Sequence, residues 1–140
     1  MTLSKKKRAA LRMKFGGRCA YCGYELPEKG WHADHMEPVY REMKYVRSSY
    51  GSGSIKPTGR VEWPERDTED NLFPSCRSCN IHKGTYLLED WRKELAKSIG
   101  MLQRGWPLYR TAVRYGLVIE NPIPIVFWFE RYSPEAVHGQ

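Results

Sequence analysis

Asn71-Leu72-Phe73-Pro74-Ser75-Cys76-Arg77-Ser78-Cys79-Asn80-Ile81-His82-Lys83-Gly84 is the segment on which the fold of this 140-residue chain turns. Its Cys76-x-x-Cys79 turn has one counterpart, Cys19-Ala20-Tyr21-Cys22-Gly23, and together they hold all four cysteines. A Cys-x-x-Cys turn converges two sulfurs on one point, and two such turns supply the four thiolates of a closed tetrahedral zinc site. Disulfides suit an oxidising compartment, and a redox Cys-x-x-Cys has no need of a duplicate. Four thiolates leave no coordination position for water or substrate, so the spacing predicts a structural zinc. Zinc binding also supplies folding free energy that a small, turn-rich core lacks.

Pinning Cys19 and Cys22 to Cys76 and Cys79 brings distant segments together. Asp34-His35 ends an extended stretch that begins at Trp31, Asn71 lies five residues before Cys76, and Asn80 directly follows Cys79. An acid, a histidine and two amides thus share a small space. A carboxylate and an amide oxygen can hold a hard divalent cation that keeps several waters, while a neutral imidazole deprotonates a water. The set has a coherent use, metal-assisted hydrolysis of a phosphodiester. Each member also has an ordinary role: Asn71 as a turn residue, Asn80 as a helix N-cap, His32 and His82 as surface histidines, Lys83 as a solvated helix residue.

At these residues the sequence resembles the HNH nuclease family, with its ββα-metal fold. The matching elements are Cys19-Ala20-Tyr21-Cys22-Gly23, then Ala33-Asp34-His35-Met36-Glu37-Pro38, then Asn71 through Gly84, in family order. The resemblance implies that His35 is the general base, Asp34 a ligand of a catalytic Mg²⁺ or Mn²⁺, and Asn71 the residue that holds the base-bearing loop. It further implies that the position after the last cysteine completes the metal site. That position is Asn80 rather than histidine, so the chain looks like the His-Asn-Asn variant, with His82 as the alternative ligand. Residues two apart on a helix point about 200° from each other, so His82 faces away if Asn80 faces Asp34. The implied substrate is DNA, cut to 3′-hydroxyl and 5′-phosphate ends, and the family is common in phages and mobile elements.

Charge bears on the same question. Lys and Arg number 23 against 16 acids, a net charge of +7. Residues 1–18 hold Lys5, Lys6, Lys7, Arg8, Arg12, Lys14 and Arg18 and no acid, so the surplus is an N-terminal patch. Such a patch suits a polyanion, or is a solvated helix face that aids solubility. Lys5, Lys6, Lys7, Arg8, Arg12 and Lys83 are the candidate DNA contacts. A rival reading, a non-catalytic zinc module that binds nucleic acid, explains cysteines and charge but leaves Asp34, His35, Asn71 and Asn80 unexplained. No apolar run approaches the ~20 residues of a membrane span, and the basic N-terminus is followed by no secretory apolar region. A cytoplasmic setting, in a bacterial or phage-infected cell, is expected.

These elements predict an α+β fold: a small ββα-metal core stapled by zinc, with flanking helices. Ser4 caps a helix over Lys5 to Phe15 that stops at Gly16-Gly17, and two short strands fit residues 18–39. Residues 40–70 read as a long inserted loop, since Ser48 to Ser54 is linker-like and Glu62 to Asp70 holds five acids. Leu87 or Leu88, then Trp91 and Leu95, mark a helix, Pro107 and Gly116 bracket another, and Ile125 to Phe129 reads as a strand. Residues 1–98 are the expected core, and 99–140 a helix-strand extension packed on it.

Overall fold

In the computed structural model, which describes residues 1–137, the chain opens with α1 (Lys5–Arg12), whose first turn is capped by the Ser4 hydroxyl. The helix ends before Phe15 because the next side chains leave for the core. Lys14 Nζ donates to the carbonyls of Asp70 and Leu72, and the Phe15 ring meets Phe73 edge-on at 5.1 Å. The Cys19–Gly23 turn follows, closed by Gly23 N–H to the Cys19 carbonyl. Gly23 has φ +75° and lies against the Trp128 ring, where a Cβ would come within 3.2 Å, so only glycine suits the position.

β1 (His32–His35) comes next, then β2 (Tyr40–Arg47) and β3 (Gly53–Glu62), a short 3₁₀ turn at Pro64–Arg66, and β4 (Leu72–Ser75). β4 returns antiparallel to β1, with His32 opposite Ser75 and His35 opposite Leu72. Pro74 gives up no ladder bond on its outer side; there its carbonyl accepts from the Ala20 N–H, which ties the sheet to the first cysteine turn. α2 (Arg77–Lys83) starts directly after β4, with the Cys76 sulfur accepting from the Cys79 N–H, and packs on β1. The class is therefore α+β, built, among the described residues, on two two-stranded sheets.

Residues 40–62 correct the expected long loop. They form an antiparallel ribbon, β2 on β3, with a two-residue excess in β3 around Thr58–Arg60. Its side chains are exposed or half-buried throughout, which deprives the sequence of the apolar alternation that marks a strand.

α3 (Leu88–Ala96) seats Trp91 in the core, and α4 (Ser98–Gly105) and α5 (Pro107–Arg114) continue outward. The extension packs only in part. α4 touches α3 and α5, and Leu108 stays 80% exposed. The expected strand over Ile125 to Phe129 is absent: the chain runs without regular structure to Phe127, which is extended, then turns into α6 (Trp128–Arg131), followed by α7 (Pro134–Val137). The reason lies in the backbone donors. Trp128 and Phe129 N–H groups bond the carbonyls of Tyr21 and Ala20, and the Glu130 carboxylate caps the Phe127 N–H. Phe127 stacks on Trp91 at 5.2 Å and Phe129 meets Phe73 at 5.0 Å, closing the core over the first cysteine turn. No helix among the described residues is long and apolar enough to cross a membrane.

Candidate functional site

The two cysteine turns meet. One sulfur from each of Cys19, Cys22, Cys76 and Cys79 falls within 4.8 Å of all the others, and Cys22 and Cys76 sulfurs lie 3.8 Å apart. A tetrahedron with Zn–S of about 2.3 Å has sulfur-to-sulfur edges of about 3.8 Å. All four are free thiols. Their crowding sets them against one another: hydrogen bonds from Cys22 and Cys79 pull the Cys19 thiol pKa down, while Cys79 is pushed up and Cys22 rises to about 11. A divalent cation resolves that conflict because it deprotonates coordinating thiols outright. The donor set fits zinc.

β1 carries Asp34 and His35 past this cluster. Asp34 is buried, and its Oδ2 accepts from the Tyr21 hydroxyl at 2.5 Å and pairs with Lys83 Nζ at 3.1 Å. Burial first, then the Asp34 charge, push the Tyr21 phenol far up, so it stays protonated and donates. Lys83 also donates to the His35 carbonyl at 2.8 Å and is fully buried. This corrects the expectation that Lys83 meets the DNA backbone: an ammonium with no exposed surface cannot reach a phosphate. It fixes β1 against α2 instead. Asn80, three residues earlier on α2, shares the Lys83 face, and its side-chain amide has no hydrogen-bond partner among the described residues.

His35 is half-buried, and its Nε2 lies 2.8 Å from Asp67 Oδ1. The hydrogen bond from His35, aided by the N-terminal ammonium 3.4 Å from Oδ2, holds the Asp67 carboxyl below its ordinary range. Asp67 is thus ionised at neutral pH and can only accept. Nε2 must then carry the proton, which leaves Nδ1 of the neutral ring as an acceptor. The stabilisation from this pair is complete above the ordinary carboxylate range and is lost as pH falls through the depressed Asp67 pKa.

Asn71 braces the loop after His35. Its Oδ1 accepts from the Glu37 N–H at 2.9 Å, its Nδ2 donates to the carbonyls of Glu37 and Arg66 at 2.8 Å each, and its own carbonyl accepts from Met36 N–H. One amide therefore joins the exit of β1 to the segment that carries Asp67. His82 is held elsewhere: its Nδ1 accepts from the Trp91 indole N–H at 2.7 Å. In the neutral ring that leaves Nε2 protonated, so neither nitrogen has a free lone pair for a metal. His32 is exposed.

The basic N-terminal helix is partly occupied by the chain itself. Arg8 donates to the Trp31 carbonyl and lies over its ring at 4.1 Å, Arg12 binds the carbonyls of Leu26 and Pro27, and Lys7 pairs with Glu69. The acidic run after Glu62 supplies Glu69 and Asp67 to this face. Lys5 and Lys6 stay exposed without an ion pair among the described residues.

Asp67, the partner of His35, carries no sequence signal, as it is one of five acids in nine residues, and neither do the Tyr21 and Lys83 contacts to Asp34. Compared with models of protein families, with curated proteins and with solved structures, the chain matches none.

Proposed function

We propose that the chain is a metal-dependent endonuclease of the HNH, ββα-metal type that hydrolyses phosphodiester bonds in DNA. The observation that carries this reading is the His35 ring, with Nε2 bound to Asp67 and Nδ1 left to accept, on the strand residue next to Asp34 and braced by Asn71. That is the arrangement a water-activating base needs. Asp34 has one carboxylate oxygen not taken by Tyr21 or Lys83, and Asn80 offers an unpartnered amide oxygen nearby on α2. One carboxylate and one amide suit a hard ion such as Mg²⁺ or Mn²⁺ that keeps most of its waters. Such an ion would stabilise charge on the leaving oxygen.

The chain's own residues do the rest. Asp67 holds the His35 tautomer, Nδ1 takes a proton from the attacking water, and Asn71 keeps the loop from swinging. Tyr21 and Lys83 hold Asp34 through Oδ2 alone, so its other oxygen is presented rather than taken up in a bond. The zinc cluster supports this site and takes no part in chemistry, since its four thiolates leave no open position. The test is supercoiled plasmid incubated with zinc-loaded protein, with Mg²⁺ or Mn²⁺ added or omitted. Metal-dependent conversion to nicked or linear DNA supports the reading, and DNA binding with no conversion makes the chain a non-catalytic zinc module.

Two substitutions probe the parts of the site separately. Asp67→Asn, which can no longer demand the Nε2 proton, is expected to cut the cleavage rate by about 10- to 100-fold, the usual cost of losing a carboxylate that orients a functional histidine. Unchanged rate across neutral pH would remove Asp67 from the site. Asn80→Ala should raise the Mg²⁺ concentration needed for half-maximal rate and lower the rate at saturation, whereas His82→Ala, which breaks only the Trp91 bond, should leave the metal requirement unmoved. A metal titration in which His82→Ala shifts further than Asn80→Ala would reverse the ligand assignment.

A further inference from the structure

The β2–β3 ribbon is the largest feature that the site does not use. It is inserted between the two strands of the central sheet, leaving just after His35 and Glu37 and returning just before Asp67 and Asn71. Its two strands contact each other extensively and no other element among the described residues comparably. A two-stranded hairpin alone in water is marginal, so a ribbon this long implies a surface it meets.

Its chemistry says which surface. Residues 40–62 hold Arg41, Lys44, Arg47, Lys56 and Arg60 against Glu42 and Glu62. Arg60 lies 3.9 Å from Glu42, and the other four bases have no ion pair among the described residues. Lys44 stands directly opposite Lys56 in the register. Like charges in that position repel and destabilise the ladder, so the pair gains only when an anion sits against it. Opposite residues in a ribbon share a face, and the other face carries Met43, Tyr45 and Ile55, all exposed, with Tyr45 66% exposed and Ile55 68%. Arg41 and Arg47 stand at the two ends of that second face. One face thus presents a lysine pair, and the other an apolar centre with cationic ends.

We propose that this ribbon is a DNA-binding arm that lies in a groove of duplex DNA beside the cleavage site. The inference rests on the nuclease reading for its substrate, and on the ribbon alone for its placement. Two strands about 4.8 Å apart fit within a major groove about 12 Å wide, which admits a two-stranded β-ribbon. With the apolar centre turned to base edges such as the thymine methyl, Arg47 near the ribbon's tip meets the groove wall directly, and Lys44 and Lys56, on the outward face, reach sideways over the ribbon's edges to the phosphates that line the rims of the groove. The arm's root adjoins Asn71 through Glu37 and through Arg66, whose guanidinium donates to the Pro38 carbonyl, so seating the arm sets the His35 loop against the backbone it would cut.

The experiment separates binding from cleavage. Zinc-loaded protein in the His35→Ala background is titrated onto a labelled duplex at several salt concentrations, with and without Lys44→Gln, Arg47→Gln and Lys56→Gln combined. Neutralising Lys44 and Lys56 relieves a repulsion, so folding should not suffer, and zinc content and the circular dichroism spectrum verify it. The expected result is weaker binding, with a log–log salt slope smaller by about 0.9 for each phosphate the variant no longer neutralises. An unchanged affinity and slope would overturn the proposal while leaving the nuclease reading intact. So would equal weakening on single-stranded DNA or on an RNA hairpin, because then no duplex groove is being read. A concentration-dependent dimer that the variant abolishes would assign the ribbon to a second copy of the chain instead. A parent that binds duplex through the ribbon yet cleaves nothing would sink the nuclease reading alone.

Discussion

Serine in place of any one of Cys19, Cys22, Cys76 or Cys79 is expected to cost the protein both its zinc and its cooperative fold. The core explains the size of the effect. Its buried apolar members number only about ten side chains among the described residues, and the two cysteine turns join the β1–β4 sheet, the Tyr21 turn and the start of α2. A preformed thiolate site does not exist in the unfolded chain, so the binding free energy of the ion, about 10–16 kcal/mol apparent in small zinc peptides, is folding free energy. That matches or exceeds the ~5–15 kcal/mol by which a domain of this kind is stable at all. Cys19 and Cys79 replacements should be the most severe, because Cys19 is fully buried and Cys79 lies in α2 one residue before Asn80. Metal analysis and a thermal melt check this: one zinc per chain in the parent, none in the variant, and loss of the folding transition. Soluble, folded parent protein with no zinc, or a serine variant that melts as the parent does, would defeat it.

Why some of these features can be read from residues, and others not, has a physical basis. Cysteine spacing is a direct statement about where sulfurs can converge, so the cluster and the approach of β1 to Asn71 are legible in the sequence. Asp34-His35 is legible because a strand end carried next to the cysteine cluster has little freedom to go elsewhere. Asp67 is not legible, since nothing in a run of five acids within nine residues distinguishes the one that reaches His35; only the 3₁₀ turn at Pro64–Arg66 aims it. Lys83 escapes for a related reason. Lysine is seldom fully buried unless paired, and its partner, Asp34, lies in a distant segment of the chain.

For the ribbon and the C-terminal aromatics the obstacle is periodicity. A strand shows itself when one face is buried, and neither face of β2–β3 is, so its Gly- and Ser-rich tip dominates the pattern. The run Ile125 to Phe129 fits a buried strand and a short buried helix equally well by composition, and the choice is made by distant carbonyls of Ala20 and Tyr21 that no local pattern records. Charge counting meets the same limit: the basic helix and the acidic run are far apart in sequence and adjacent in space, joined by Lys7–Glu69. The positive charge of this region that meets no acid or carbonyl of the described residues is therefore carried by Lys5, Lys6 and the ribbon rather than by the N-terminal helix as a whole.

His35→Ala is expected to reduce DNA cleavage by a factor of about 10² to 10⁴, the usual contribution of a positioned general base, while DNA binding and stability barely change. The structure separates these effects. What β1 needs from His35 is backbone: its carbonyl accepts from Lys83, and its register opposite Leu72 does not involve the ring. The ring itself is part-exposed and, among the described residues, bonded to Asp67 alone, a carboxylate that keeps the N-terminal ammonium as a partner when the ring is gone. A pair this accessible contributes about 0–1 kcal/mol to folding, so the variant should melt within a few degrees of the parent. Loss of activity then reports the missing proton acceptor rather than a damaged fold, and the distinction can be pressed further. Added imidazole should restore part of the rate to His35→Ala, since the cavity opens at the position Nδ1 occupied, but none to Asn80→Ala, where the deficit is a metal ligand. A folded, zinc-loaded His35→Ala protein that cleaves at close to the parent rate, from a preparation free of contaminating nuclease, would show that His35 is not the base.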